Sequence, residues 1–195
     1  MLAFAELYAT ACARKGGASA VEASLPKALA GDALQAIPDA RFLSQMSRRI
    51  FRAGLRHAMV DKKWPAFEEA FQRFDPHYCA MLSDESIDKL LADTRLIRHL
   101  AKIKSVRHNA QWMLWQARES GRSFASFVAQ WPVDDIVGLW GQLRKQGSQL
   151  GGISGAYFLR MMGKDTFLLT RDVVAVLKRY AVIEKEPKSM RDFKR

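Results

Sequence analysis

The sequence predicts an all-α protein, and three observations predict it. Apolar residues recur at spacings of three and four, Gly and Pro are confined to a few breaks, and β-branched alternation is nearly absent. The chain of 195 residues is long enough for one substantial domain or two small helical lobes. With 49% hydrophobic and 26% charged residues it has the composition of a folded protein rather than a disordered one.

The elements follow in order. Helices are expected at roughly 2–14, 41–56, 64–73, 84–92, 95–118, 123–130, 134–146, 154–162 and 171–181. Phe42, Met46 and Ile50 make one apolar stripe, and Leu96, Leu100, Ile103, Ala110 and Met113 largely follow another. Gly16-Gly17 ends the first helix and Pro38-Asp39 introduces the next main one. Asp75-Pro76 breaks the chain after Phe74, Pro132 opens a segment, and Gly147 closes it. Ser83 before Asp84 and Glu85 reads as a helix start, with acids at the positive end of the dipole. The five tryptophans fall at helical spacings and read mainly as core, although Trp112 and Trp115 could together wall a pocket.

Charge narrows the function classes. Against 20 Asp and Glu stand 31 Lys and Arg, a net +11, which favours an anionic partner such as nucleic acid or an acidic membrane surface. Membrane spanning is not expected, because no run approaches about 18 uninterrupted apolar residues. The apolar start is interrupted by Glu6 and its positive charges come after the run, so it does not read as a signal sequence. Cys12 and Cys79 lie far apart with no metal-ligand spacing, which fits a reduced cytoplasm. The histidines (His57, His77, His99, His108) add no ligand pattern; His99 and His108 lie nine apart on one expected long helix, where structural hydrogen bonds are the better reading. No metal and no cofactor are expected.

Three segments carry chemistry. Leu150-Gly151-Gly152-Ile153-Ser154-Gly155 lies between two expected helices and reads as a tight hairpin whose backbone N–H groups could hold a phosphate. A Gly-Gly helix stop with a turn would look the same. Arg48, Arg52 and Arg56, spaced i, i+4, i+8, read as one basic helix face that could track a DNA backbone or simply be solvated. Among the carboxylates, Glu68 and Glu69 sit on an amphipathic helix, and Asp172 stands where a helix begins. Each is a candidate catalytic acid with a plain alternative: a solvated face for the glutamates, a dipole-stabilising acid for Asp172.

A family resemblance rests on the middle of the chain. Phe51-Arg52-Ala53-Gly54-Leu55, then Phe71-Gln72-Arg73-Phe74-Asp75-Pro76, Leu90-Leu91-Ala92-Asp93, Ile97-Arg98-His99 with Lys102-Ile103, and Asn109-Ala110 occur in an order that resembles the 3-methyladenine DNA glycosylase I family. The likeness runs from about Arg48 to Ala110 and again from Leu150 to Val173. It implies a two-lobed helix-hairpin-helix fold: one lobe from about 1–40 with 150–195, the other about 41–149, in a single domain over 1–195. It also implies a monomer that flips an alkylated adenine out of double-stranded DNA and hydrolyses its N-glycosidic bond with water. Leu55, after Gly54, is then the expected wedge into the duplex. Arg48, Arg52, Gly151, Gly152, Ser154 and Gly155 are the expected phosphate contacts, and Arg49, His57 and Trp112 the expected base pocket.

The resemblance also marks departures. The family's base-contacting glutamate falls on Arg49, where a cation would repel cationic 3-methyladenine. Its pocket tryptophan falls on His57, and the superfamily aspartate position falls on Thr170 with Asp172 two residues on. The family's zinc-binding cysteines and histidines have no counterpart. Two functional readings therefore stand side by side, a hydrolase for alkylated adenine and a non-catalytic binder of damaged DNA. A membrane-surface adaptor is a distant third, because the apolar residues are spread evenly rather than gathered beside the basic face.

Overall fold

The computed structural model describes residues 4–187 and Asp192. Among these residues the regular structure is helical and no strand occurs, as the sequence predicts. The helices are α1 (Phe4–Lys15), α2 (Ala18–Ser24), α3 (Gly31–Gln35), α4 (Asp39–Arg52), α5 (His57–Ala70), α6 (Pro76–Ala80), α7 (Asp84–Ala92), α8 (Leu100–Ser120), α9 (Phe124–Gln130), α10 (Ile136–Gln146), α11 (Ser154–Met162) and α12 (Arg171–Arg179). The short helices α2, α3 and α6 are absent from the sequence reading, since pieces of five to seven residues carry too little periodicity to register.

The chain divides into two compact units. One comes from its two ends, Met1–Ala28 with Leu168–Arg195, and the other is Leu29–Phe167. In the first unit α1 and α2 form a helical hairpin. The Gly17 N–H donates to the Cys12 carbonyl at 2.8 Å and the Tyr8 hydroxyl donates to Glu22 at 3.0 Å. Within the same unit α12 opens on Thr170, whose side chain accepts from the Val173 N–H.

The second unit is organised around α4, which packs against α5, α8, α9 and α11. Phe42, Met46 and Ile50 are buried as expected, and Leu43 and Phe51 widen the stripe. A helix enclosed this way must settle its end groups through neighbours rather than water. Asp39, in its first turn, accepts from the Phe124 and Ala125 N–H groups at 3.0 and 2.8 Å and so also caps α9. The far end of α9 is held by Lys164, whose ammonium donates to the Ala129 and Trp131 carbonyls.

Several expected boundaries shift. The helix expected at 64–73 begins at His57 and carries Pro65 inside it, because Val60, Trp64 and Phe67 share one buried face across the proline. The helix expected from 95 begins at Leu100. His99 is its cap, its ring accepting from the Lys102 N–H, so His99 and His108 do not share that helix. Leu100 is exposed, and Val106 takes its place beside Ile103, Ala110 and Met113 in the buried stripe. Arg56 lies beyond α4, at the N-terminal edge of α5, so it does not continue the Arg48–Arg52 face.

After α5 the chain makes a left-handed turn through Gln72, Arg73 and Phe74, with φ of 50°, 55° and 60°. Such backbone costs an L-residue about 1–2 kcal/mol. Aromatic stacking offsets that cost: Phe74 lies 5.2 Å from Phe71 and 5.4 Å from Trp64, ring to ring, and Arg41 donates to the Arg73 carbonyl.

Replacing Asp39 by alanine should lower stability by about 1–2 kcal/mol, since it strips two capped N–H groups from α9. Urea unfolding of the two proteins measures it, and an unchanged midpoint would remove Asp39 from the account of how α4 and α9 are joined.

Candidate nucleic-acid and base site

The C-terminal turn of α4 and the turn that follows it bring together Arg48, Arg49, Arg52 and Leu55 of the expected site. Arg48 and Arg52 do not stand free on a basic face. Both donate to Asp61 on α5, Arg48 through Nε at 3.0 Å and Arg52 through Nη2 at 2.6 and 2.7 Å. Burial pushes the Asp61 carboxyl up, but the hydrogen bonds and charges of the two arginines outweigh it and hold it below its ordinary value. The three groups together carry one net positive charge. Asp61 has no signal in the sequence, because its pairing reaches across the turn at Gly54.

That turn is fixed from the other side by Lys102. Its buried ammonium donates to the Ala53 carbonyl at 2.6 Å and the Phe51 carbonyl at 3.3 Å. A cation at the negative end of a helix dipole is favourable there. Burial, with a smaller contribution from the Arg49 charge, draws the Lys102 value down. Gly54 comes next at φ 76° and carries the half-buried Leu55 out of the helix.

Arg49 is the outlier. It is only 9% exposed, its Nε has no partner, and none of its guanidinium nitrogens hydrogen-bonds to a described residue. The guanidinium carbon instead lies 4.4 Å from the centre of the Tyr157 ring on α11. Burial lowers its value from the ordinary arginine range; the Tyr157 hydroxyl opposes that and the Arg52 charge adds to it.

The other two expected pocket residues lie elsewhere in this unit. His57 is exposed at the start of α5. Trp112 is buried on α8, 5.1 Å from Phe124 edge to face, with its indole N–H unpartnered. It backs an open cleft of about 270 Å³ lined also by His108, Gln111, Trp115 and Gln146. No hydrogen bond or ring contact among the described residues joins Arg49, His57 and Trp112.

The carboxylates separate clearly. Glu68 is an internal anchor: it accepts from Arg41 at 3.0 and 2.8 Å, from the Ser44 hydroxyl at 2.5 Å and from the Trp64 N–H at 3.2 Å. Burial pushes its carboxyl up, yet those donors together leave it below the ordinary value of 4.5. Glu69 is exposed and pairs with Arg95 at 3.1 Å. Asp172, in the other unit, is exposed in the first turn of α12.

The hairpin between α10 and α11 is built as a rigid ledge. Leu150 is buried beneath it. Asn109, fully buried on α8, donates to the Ser148 carbonyl at 3.2 Å and accepts from the Ser148 N–H at 2.7 Å, while His108 bonds to the Gln146 carbonyl at 2.9 Å. Gly152 takes φ 58°, which few side chains tolerate, and a Cβ on Gly155 would sit 3.1 Å from the Leu150 carbonyl oxygen. Gly151 is exposed at the tip. Ser154 is the first residue of α11, whose N-terminus has no side-chain cap.

Among the described residues no group of three His, Cys, Asp or Glu side chains comes close enough to hold a metal ion. Cys79 is buried against the Phe71 carbonyl with its thiol pushed up to about 12 by burial. No described helix is long and apolar enough to cross a membrane.

The described residues form an all-helical core in which a glycine hairpin leads into α11, a helix with no side-chain cap at its N-terminus. The methyladenine glycosylase family model matches residues 36–146, more than half the chain, and the protein belongs to that family. Over 77 residues it is 35% identical to DNA-3-methyladenine glycosylase 1 of Escherichia coli (strain K12), and equally to DNA-3-methyladenine glycosylase of Haemophilus influenzae. In each case the match takes in 40% of this chain and 41% of the relative, so the chain spans about two fifths of the curated relatives' length. A solved structure of 3-methyladenine DNA glycosylase I from Staphylococcus aureus, concerned with 3-methyladenine recognition, superimposes with a TM-score of 0.55 at 26% identity. It covers 66% of this chain and 79% of that one.

Glu68→Gln should cost about 2 kcal/mol near neutral pH, because three donors lose a charged acceptor. A carboxyl held below its unfolded value adds stability that is present above about pH 4.5 and lost as pH falls through the folded value. The parent-minus-variant difference in unfolding free energy should therefore shrink on acidification. A pH-independent difference would show that the anchor does not act through charge.

Proposed function

We propose that this protein is a monofunctional DNA glycosylase that removes alkylated adenine, 3-methyladenine foremost, from double-stranded DNA. The observation that carries the reading is that the residues matched by the family, 36–146, form the packed core whose last helix runs directly into the braced glycine hairpin. The curated relatives from Escherichia coli and Haemophilus influenzae are glycosylases of that lesion.

The chemistry needs the base outside the helix, since the glycosidic bond cannot be reached within stacked DNA. Leu55 is the wedge, held by the Lys102-braced turn. Gly151, Gly152 and Gly155 take a phosphate on backbone N–H groups at the start of α11, and Ser154, whose N–H donates to the Gly151 carbonyl at 3.2 Å, contributes through its hydroxyl. Arg48 and Arg52 add a partly neutralised positive edge. Water attacks the sugar carbon as the C–N bond breaks, and the already cationic base departs neutral, so little acid assistance is needed. Of the three carboxylates Glu68 is committed to its donors and Glu69 to an exposed ion pair. Asp172 is the acid we assign to the developing positive charge on the sugar. His57 and Trp112 stay in the reading as aromatic surfaces for the base.

One observation favours a second reading. An unpaired buried Arg49 gives a cationic base no attraction, which suits a protein that binds damaged DNA without cleaving it.

Base release from a duplex carrying 3-methyladenine separates the two. The parent should release the base, and Asp172→Asn should slow release at least about tenfold with duplex affinity unchanged. Intact salt-dependent binding without release would establish the binder, and absence of binding would end both readings.

A further inference from the structure

Arg49 is expensive where it stands. A buried donor left without an acceptor destabilises the fold that encloses it, and the Arg49 Nε–H is such a donor. The C-terminal turn of α4 together with Lys102 carries four cations, Arg48, Arg49, Arg52 and Lys102, against one carboxylate, Asp61, which Arg48 and Arg52 already share. Lys102 finds two backbone carbonyls, whereas Arg49 finds only the face of Tyr157. The contact with the ring face leaves the Nε donor unmatched. Tyr157 lies in the first turns of α11, two residues after the Gly151–Gly155 hairpin, so Arg49 packs against the helix that the hairpin proposed to contact DNA leads into.

We infer that Arg49 is a binding residue for a pair of adjacent hydrogen-bond acceptors on the DNA, chemistry offered by phosphate oxygens and by the O6/N7 edge of a 6-oxopurine. An arginine fork matches either source in bidentate fashion, and neither is cationic. The inference rests on the proposed DNA-binding function and extends it to a ligand class that alkylated adenine does not represent, since a 6-aminopurine presents a donor where the fork needs an acceptor.

The test uses the full chain, Arg49→Gln and Arg49→Met, and three duplexes identical except for one central position holding adenine, hypoxanthine or a tetrahydrofuran abasic analogue. Binding is monitored by fluorescence anisotropy at two salt concentrations. For a base edge, the parent prefers the hypoxanthine duplex by roughly 5- to 100-fold and both variants lose that preference alone. For a phosphate, both variants bind all three duplexes more weakly and the salt slope falls by about one. Variants that bind every duplex as the parent does would overturn the inference while leaving the glycosylase reading intact. A parent that binds no duplex would overturn both. Thermal melting supplies the second readout. Arg49→Met should raise Tm by about 2–4 °C, because it removes a buried Nε–H that has no acceptor. A fall in Tm would make Arg49 a packing element and count against a ligand role.

Discussion

Packing α4 among its neighbours ties helix ends together, and α4 takes part in such a bond at both of its termini. Its first turn supplies Asp39 to the N-terminus of α9, and its last carbonyls receive Lys102 from the start of α8. Each bond therefore joins two helices at their ends while settling groups that water cannot reach. The same device recurs at Lys164 and the C-terminus of α9. These lysines need no carboxylate, because two carbonyls at the negative end of a dipole meet the ammonium. The geometry of the Gly54–Leu55 turn depends on that arrangement, for the Ala53 carbonyl that Lys102 holds is the last atom before the chain leaves α4.

Arginine on α4 is handled differently. Arg41 goes to Glu68, and Arg48 and Arg52 go to Asp61, so two carboxylates of α5 absorb three arginines of α4. Fixing α5 against α4 in this way sets the aromatic stack of Trp64, Phe67, Phe71 and Phe74, and that stack in turn holds the left-handed turn before Asp75-Pro76. Glu68 looks from sequence like any acid on an amphipathic helix. Its three donors make it a structural acceptor whose loss would be felt in folding before chemistry.

Legibility depends on the range of the interactions. Local signals were readable: the α4 stripe, the Ser83 cap, the break at Asp75-Pro76 and the glycine hairpin all express properties of a few neighbouring residues. Ordered motifs carried the family, and two of their residues, Asn109 and Lys102, brace the hairpin and the α4 end in this chain. Pairings across turns were not readable. Nothing in the spacing joins Asp61 to Arg48 and Arg52, or Tyr157 to Arg49, and an i, i+4, i+8 pattern could not reveal that Arg56 falls beyond the helix end. The Pro65 inside α5 hid seven residues of helix for the same reason, since burial of Val60 and Trp64 on one face is a tertiary fact.

The cations of the α4 end thus sort by what the free protein offers them. Lysines take carbonyls, Arg48 and Arg52 take Asp61, and each loses little by being enclosed. Arg49 alone of these is enclosed with a ring for company. A residue whose cost is not recovered within the fold is maintained by something outside it, or it would be free to become methionine at a gain in stability. Because its neighbours already hold the turn and the hairpin rigid, Arg49 has no remaining structural duty that an apolar side chain of similar length would fail to perform. On the proposed DNA-binding function, its position is accounted for by hydrogen-bond acceptors that the DNA would bring to it.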